Sequence, residues 1–341
     1  MSRTLRTLPW ILAFTLGLLT GCLEKEEQDD HSEYRKALPS AQLLEIDVPA
    51  GQGNGALAVG EPSTFYEFTR LVSLAINGRV AVGLTWLSLI ALMPPTDSGE
   101  NYRVWGPTEP KGLEKFSWKM RVDKLSDTRF AFTLDARPKG STADGDFLSI
   151  IAGEVTPGDG ETGGVGTLTL HYDNSKTLGV EPCNDGIVEV DWDASTSTRK
   201  VDVRWIDFVN TCDQTELPDA NYHYEQAEDA SGVFEFAVND DIHELEAKPL
   251  IETMTMRSRW QADGLGRSDV IVTGGEIPTD LSAAGIDATE IRATQCWTEL
   301  FAVSFLDTDP DEFEPLLFPQ DGEHGDAAAC GHFTEAEYPS L

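Results

Sequence analysis

The chain has 341 residues, with 25 Lys and Arg against 59 Asp and Glu, a formal net charge of −34, 40% hydrophobic residues, 9% aromatics and five cysteines. Nucleic-acid binding is excluded, because a protein that displaces counterions from phosphates needs a basic surface. The apolar and aromatic fractions are too high for a disordered acidic chain, and the length fits one large domain or two smaller ones.

The first element in chain order is a leader. Arg3 and Arg6 stand without an acid before an apolar run from Leu8 to Leu19, interrupted by Pro9, Thr15 and Gly17. That is the layout of a secretory signal peptide over residues 1–21, and the run is short for a membrane span. It ends in Leu19-Thr20-Gly21-Cys22, which resembles a bacterial lipobox. The resemblance implies cleavage before Cys22 and diacylglycerol on its thiol. Several acyl chains on one residue anchor stably where a single chain is marginal. Leu23 stands where an Asp favours inner-membrane retention in the lipoprotein sorting pattern, so an outer-membrane address is expected, with either leaflet open. Cleavage removes two arginines and no acid, taking the net charge from −34 to −36. Residues 22–41 carry Glu24, Glu26, Glu27, Asp29, Asp30 and Glu33 and read as a flexible acidic tether. Residues 42–341 then read as a single β-rich domain.

Ser63 to Met93 differs in character. Leu71 to Met93 holds one charge, Arg79, beside Asn77-Gly78, and Pro94-Pro95 closes the segment. The expectation is a buried helix or helix pair, broken at Asn77-Gly78 in the second case and apolar around most of its circumference because a sheet wraps it. A membrane span is the alternative, which its length permits. Against a span, Arg79 would sit near mid-bilayer, and the anchor and the remaining cysteines would lie on opposite sides.

The rest reads as hairpins. Phe116 to Val122 alternates with a wet face and pairs with Phe130 to Leu134; Phe147 to Val155 pairs with Val165 to Tyr172, and Ile187 to Asp193 with Val201 to Phe208. Tyr222 to Glu225 and Val233 to Val238, Ile251 to Gln261 and Asp269 to Thr273, and Ile291 to Trp297 and Leu300 to Leu306 follow. Turns such as Asp263-Gly264-Leu265-Gly266 and Asp229-Ala230-Ser231-Gly232 suit them. The fold class is mainly β (α+β), an antiparallel meander of roughly 10–12 strands closing into a barrel or curved half-barrel around the apolar helix.

Four cysteines remain, Cys183, Cys212, Cys296 and Cys330, and an exported chain with an even number invites pairing. Folding the Ile187–Phe208 hairpin about Ala194-Ser195-Thr196-Ser197-Thr198 brings Cys183 and Cys212 opposite each other at its open end. That leaves Cys296 with Cys330. Metal ligation by His324, Cys330 and His332 is the alternative, disfavoured by the lack of a second ligand cluster.

At this level the chain resembles a family of bacterial lipoproteins of unknown function. The residues that carry the likeness are the lipobox, the apolar segment ending in Pro94-Pro95, Arg103-Val104-Trp105-Gly106-Pro107, Arg257-Ser258-Arg259-Trp260, Val272-Thr273-Gly274-Gly275 and Gln295-Cys296-Trp297. The resemblance implies fold and compartment and carries no activity. A looser architectural likeness is to envelope lipid carriers, in which a curved antiparallel sheet closes over apolar helices.

The search for catalysis returns no residues. G-x-S-x-G, H-E-x-x-H and P-loop motifs are absent, and His243-Glu244 lacks a second His. Gly158-Asp159-Gly160-Glu161-Thr162-Gly163 matches G-x-G-x-x-G but lies between strands, where its acids would repel a pyrophosphate. Asp307, Asp309 and Asp311 start like a calcium loop, but Glu312 and Phe318 stand where Gly and Glu are needed. No cofactor is expected. Arg257, Arg259 and Arg79 are the candidate contacts to an anionic head group, with pairing to neighbouring acids the alternative for the first two. The expected function is an anchored, non-catalytic envelope lipoprotein, joined to the membrane through Cys22, that holds a lipid or other apolar ligand in a carrier or maintenance role. The alternative is a structural or surface-interaction lipoprotein with a filled core, and a hydrolase with an unrecognised site stands third.

Overall fold

Side chains that alternate between an apolar and a polar face build one antiparallel sheet whose strands follow each other in space as they do in sequence. In this computed structural model, residues 31–49, 59–158, 163–212, 215–240, 250–311 and 324–336 are described. The strands are β1 (Asp97–Gly99), β2 (Tyr102–Trp105), β3 (Phe116–Lys124), β4 (Phe130–Pro138), β5 (Leu148–Pro157), β6 (Gly164–His171), β7 (Asn184–Asp193), β8 (Arg199–Asn210), β9 (Thr215–Gln226), β10 (Gly232–Asp240), β11 (Glu252–Trp260), β12 (Gly266–Gly274), β13 (Glu290–Trp297) and β14 (Val303–Asp309). The helices are α1 (His31–Lys36), α2 (Ala41–Leu44), α3 (Thr64–Ala91), α4 (Tyr172–Leu178) and α5 (Ile277–Ala283).

Local chemistry sets the hairpins. Asp193 Oδ1 accepts from the backbone N–H and hydroxyl of Ser195 in the β7–β8 turn, and Asp229 Oδ1 does the same for Ser231 before β10. Cross-strand glycine–tryptophan pairs follow: Gly166 lies opposite Trp192, Gly232 opposite Trp260, and Gly266 opposite both Trp260 and Trp297. A Cβ on Gly166 or Gly232 would overlap the indole that covers it, so the ring supplies the packing the missing side chain cannot.

Ser63 caps α3, its hydroxyl accepting from Tyr66 N. Tyr66, Thr69, Ser73, Ile76, Val80, Leu84, Leu87 and Ile90 make one buried stripe down the helix. A polar seam pins its start: Ser63 donates to Gln295 of β13 at 2.5 Å, and Thr69 and Ser258 of β11 share a hydrogen bond at 2.7 Å. Arg35 of α1 donates to the Ala91 carbonyl at 2.8 Å and holds the start of the described chain against the far end of α3. The core beneath is aromatic, with Trp105, Trp260, Trp297, Tyr224, Phe132 and Phe234 fully buried.

Both disulfides form as expected, Cys183–Cys212 and Cys296–Cys330, each with 5.2 Å between Cα atoms. All six expected hairpins pair antiparallel. Several expectations are corrected. The sheet has fourteen strands among the described residues, because β1 and β2 are too short to show alternation. Its hydrogen-bond order runs from β1 to β14 without joining them, so among the described residues the ladder is open and not closed into a barrel. Tyr172 begins α4 instead of ending a strand. The helix runs unbroken through Asn77-Gly78, as one helix and not a pair, because the Asn77 amide both accepts from Ile46 N and donates to its carbonyl, each at 2.8 Å. The sheet does not wrap α3: one stripe is buried and the opposite face is exposed. Finally, the stretch read as a tether is structured from His31, where Tyr34 and Ala37 bury completely and Tyr34 donates to the Glu100 carbonyl; the acid count had masked these two anchors. The leader, Cys22, His243-Glu244, residues 159–162, Glu312 and Phe318 lie outside the described residues.

Candidate functional site

The exposed side of α3 borders a groove of about 540 Å³, open on one side, whose other wall is made by β4, β5, β6 and α4. That size lies within the range of small-ligand sites. The lining is mainly apolar: Leu74, Val82 and Trp86 from α3 face Leu134, Ile150, Ile151 and Leu170 from the strands.

Local irregularities create the space. A register shift in the β4–β5 pair places Leu134 opposite Ile151 and Asp135 opposite Ser149, leaving Ile150 without a partner. This bulge lets two successive isoleucines line one groove, where regular alternation would send one to the other face. On the helix side, Gly78 and Gly83 are interior glycines, each about 1 kcal/mol worse for helix formation than alanine. Their missing side chains leave the groove floor low: a Cβ at Gly83 would touch Leu170 Cδ2 at 3.4 Å and Ile151 Cδ1 at 3.5 Å, and one at Gly78 would meet nothing within 4 Å.

Polar groups gather at one end. The Arg79 guanidinium lies over the Phe208 ring with its carbon 5.5 Å from the centroid, and it reaches the Ala75 carbonyl of its own helix at 3.5 Å. No carboxylate among the described residues lies within ion-pair distance of it. That is unusual in a chain where acids outnumber cations 59 to 25. Tyr172 packs edge-on against the same Phe208 ring, and its phenol is pushed up to about 12, mainly by burial, with Glu181 adding to the rise and Arg79 opposing it. The Glu181 carboxylate accepts from Cys183 N at 2.9 Å, and His171 lies 3.9 Å from Asp173. Asn184 Oδ1 is buried in the groove lining with no hydrogen-bond partner among the described residues. The Cys183–Cys212 bridge staples the segment that carries Glu181 and Asn184, reinforced by Thr211 N donating to the Cys183 carbonyl at 2.8 Å.

Of the three candidate arginines, only Arg79 lies in this groove. Arg257 and Arg259 project from the opposite face of β11 to Ser258, which bonds to α3; Arg257 pairs with Glu235 and Arg259 with Asp269, both at 2.9 Å. The structure therefore does not bring the three together. His332 Nδ1 contacts Gln261 Nε2 at 3.2 Å, Cys330 is in a disulfide, and no cluster of three or more metal-capable side chains occurs among the described residues. Sequence reasoning missed Ile150, Asn184 and Tyr172 as groove residues. The only sequence signal was the pair of helix-disfavouring glycines inside α3. No protein family, curated protein or solved structure matches the chain.

Proposed function

We propose that the chain is an envelope lipoprotein, anchored through lipid on Cys22 and addressed to the outer membrane, that holds the acyl chain of an amphiphile in the groove between α3 and β4–β6. The sheet serves as a curved half-barrel over the inner face of the helix, in the manner of envelope lipid carriers. The role is carriage or envelope maintenance without catalysis. The observation that carries the reading is the pairing of an apolar groove of about 540 Å³ with a cation at its polar end, Arg79, that forms no ion pair among the described residues. Apolar walls reward burial of methylenes at about 0.8 kcal/mol each, and a guanidinium beside a buried phenol favours an anionic head group. Asn184 Oδ1 offers an acceptor to a head-group donor.

The test is native mass spectrometry of the mature chain from an oxidising compartment, with organic extraction of any excess mass and titration with fluorescent fatty acids. Co-purified lipid and saturable binding support the reading; a bare chain mass and binding no greater than a denatured control overturn it. The second reading, a structural or surface-interaction lipoprotein without a ligand, draws on the filled interior between α3 and the sheet, where the largest rings are fully buried. It expects the bare mass and partners recovered by cross-linking in intact cells.

A further inference from the structure

We propose that the outward crest of α3 is a membrane-contact surface by which the protein lies against a lipid bilayer. The crest is Leu71, Leu74, Val82, Trp86, Leu89 and Leu92, with Leu71, Leu89 and Leu92 exposed by 64%, 58% and 67%. These positions recur at helical spacing opposite the buried stripe and extend along about 31 Å of helix. Of the other exposed large apolar residues, Met93 adjoins the crest, Leu113 and Leu300 stand singly in turns, Ile206 lies alone on β8, and Leu250-Ile251 form a pair before β11.

Charge selects the occupant. From Phe68 to Thr96 there is no Asp or Glu, and the two charges present are Arg70 and Arg79, in a chain with net charge −34. The outer face of the sheet is studded with carboxylates such as Glu189, Asp191, Asp202 and Glu225. A bilayer that the acidic sheet face repels can approach the crest, where the chain carries no Asp or Glu between Phe68 and Thr96. Reach agrees with this. Cys22 is nine residues from His31, a covalent span of at most about 32 Å, and α1 is fastened to the C-terminal end of α3 through Arg35 and the Ala91 carbonyl. A lipid anchor at Cys22 therefore keeps the end of the crest that carries Trp86, Leu89 and Leu92 close to the bilayer. The groove opens along the same crest, with Leu74, Val82 and Trp86 in its lining, so an acyl chain can pass between bilayer and groove without crossing water. The inference rests on the anchored-carrier reading for its biological setting, and its test does not.

The test is vesicle flotation of the mature chain carrying Cys22→Ser, exported behind a cleavable leader so that no lipid is attached. With phosphatidylcholine vesicles, a measurable fraction floats, and Leu89→Asp and Leu92→Asp each lower the partition coefficient about tenfold or more. Adding phosphatidylglycerol weakens flotation at low salt and less so at high salt. Gly83→Leu, which fills the groove and leaves the crest exposed, floats like its parent while losing fatty-acid binding; Leu92→Asp, which lines no part of the groove, does the reverse. Circular dichroism and melting confirm that each variant is folded. The proposal is overturned by no flotation of the folded Cys22→Ser chain on either vesicle, by flotation indifferent to Leu89→Asp and Leu92→Asp, or by a dimer that Leu92→Asp dissociates, which would assign the crest to a second copy. Flotation with no fatty-acid binding would refute the groove and keep the crest.

Discussion

Replacing Gly83 by leucine separates a ligand groove from an already filled contact, because the two respond to added volume with opposite signs. The Cβ of residue 83 has contacts of 3.4 and 3.5 Å awaiting it at Leu170 and Ile151, with the open groove beyond. Leucine removes the helix cost of an interior glycine, about 0.8 kcal/mol, and adds apolar burial against the strand wall of order 1 kcal/mol. The variant is expected to be about 1–2 kcal/mol more stable, read as a higher urea midpoint at unchanged m-value. Binding moves the other way. Displacing as few as two methylenes of an acyl chain costs about 1.6 kcal/mol, more than tenfold in Kd. Gly83→Ala is the graded control: its single carbon stays at contact distance, so it gains about 0.8 kcal/mol while Kd stays within about threefold. Fluorescent fatty-acid titration and urea melts on the same preparations read both quantities. A Gly83→Leu chain of unchanged or higher stability that binds with the parental Kd refutes the groove as the site, and a destabilised one shows that the space was already filled.

Three further outcomes are expected. Cys183→Ala/Cys212→Ala opens a separation of 29 residues, worth about 3.6 kcal/mol in the chain-entropy treatment, and loosens the Glu181–Asn184 wall; timed reduction and alkylation should cleave this bridge, with Cys212 exposed, before Cys296–Cys330, whose sulfurs are buried, and the reverse order contradicts the burial argument. Asp269 is fully buried and accepts from Arg259 at 2.9 Å, Arg267 at 2.7 Å and Thr294 at 2.7 Å, so Asp269→Asn strands two guanidinium groups and costs about 3–5 kcal/mol by urea denaturation; a loss below about 1 kcal/mol shows that water compensates them. His223 is held above the ordinary imidazole value of 6.5 chiefly by its hydrogen bond to Asp202, against which burial works, with Glu235 and Glu225 adding to the rise. A raised folded value stabilises below 6.5 and that stability is lost as pH climbs through the folded value, so the stability gap between the parent and His223→Gln is present near about pH 5.5 and shrinks as pH rises; with Asp202 53% exposed the gap stays under about 1 kcal/mol, and a gap that widens with pH reverses the assignment.

The sequence by itself determined the elements whose signals are local. Period-two alternation located the six hairpins, because each strand needs only its own turn and neighbour to show its wet and dry faces. The spacing of Cys183 and Cys212 about the Ala194–Thr198 turn determined one disulfide and left the other by elimination. Ser63 and Pro94-Pro95 bounded α3 because caps and breakers act on their own backbone. Which side of α3 the sheet covers was decided only in the tertiary structure. A helix apolar all round carries no facing information, so a wrapped core helix and a helix with one exposed crest look alike in sequence. The groove is likewise a product of packing. It needs a bulge at Ile150, two glycines on a helix about seventy residues earlier in the chain, and a disulfide-stapled loop to meet, and none of these announces its partners. Arg79, Arg257 and Arg259 look equivalent as scarce cations in an acidic chain. Their neighbours in space separate them, since β11 pairs two of them with acids on adjoining strands and α3 holds the third over an aromatic ring at the groove end.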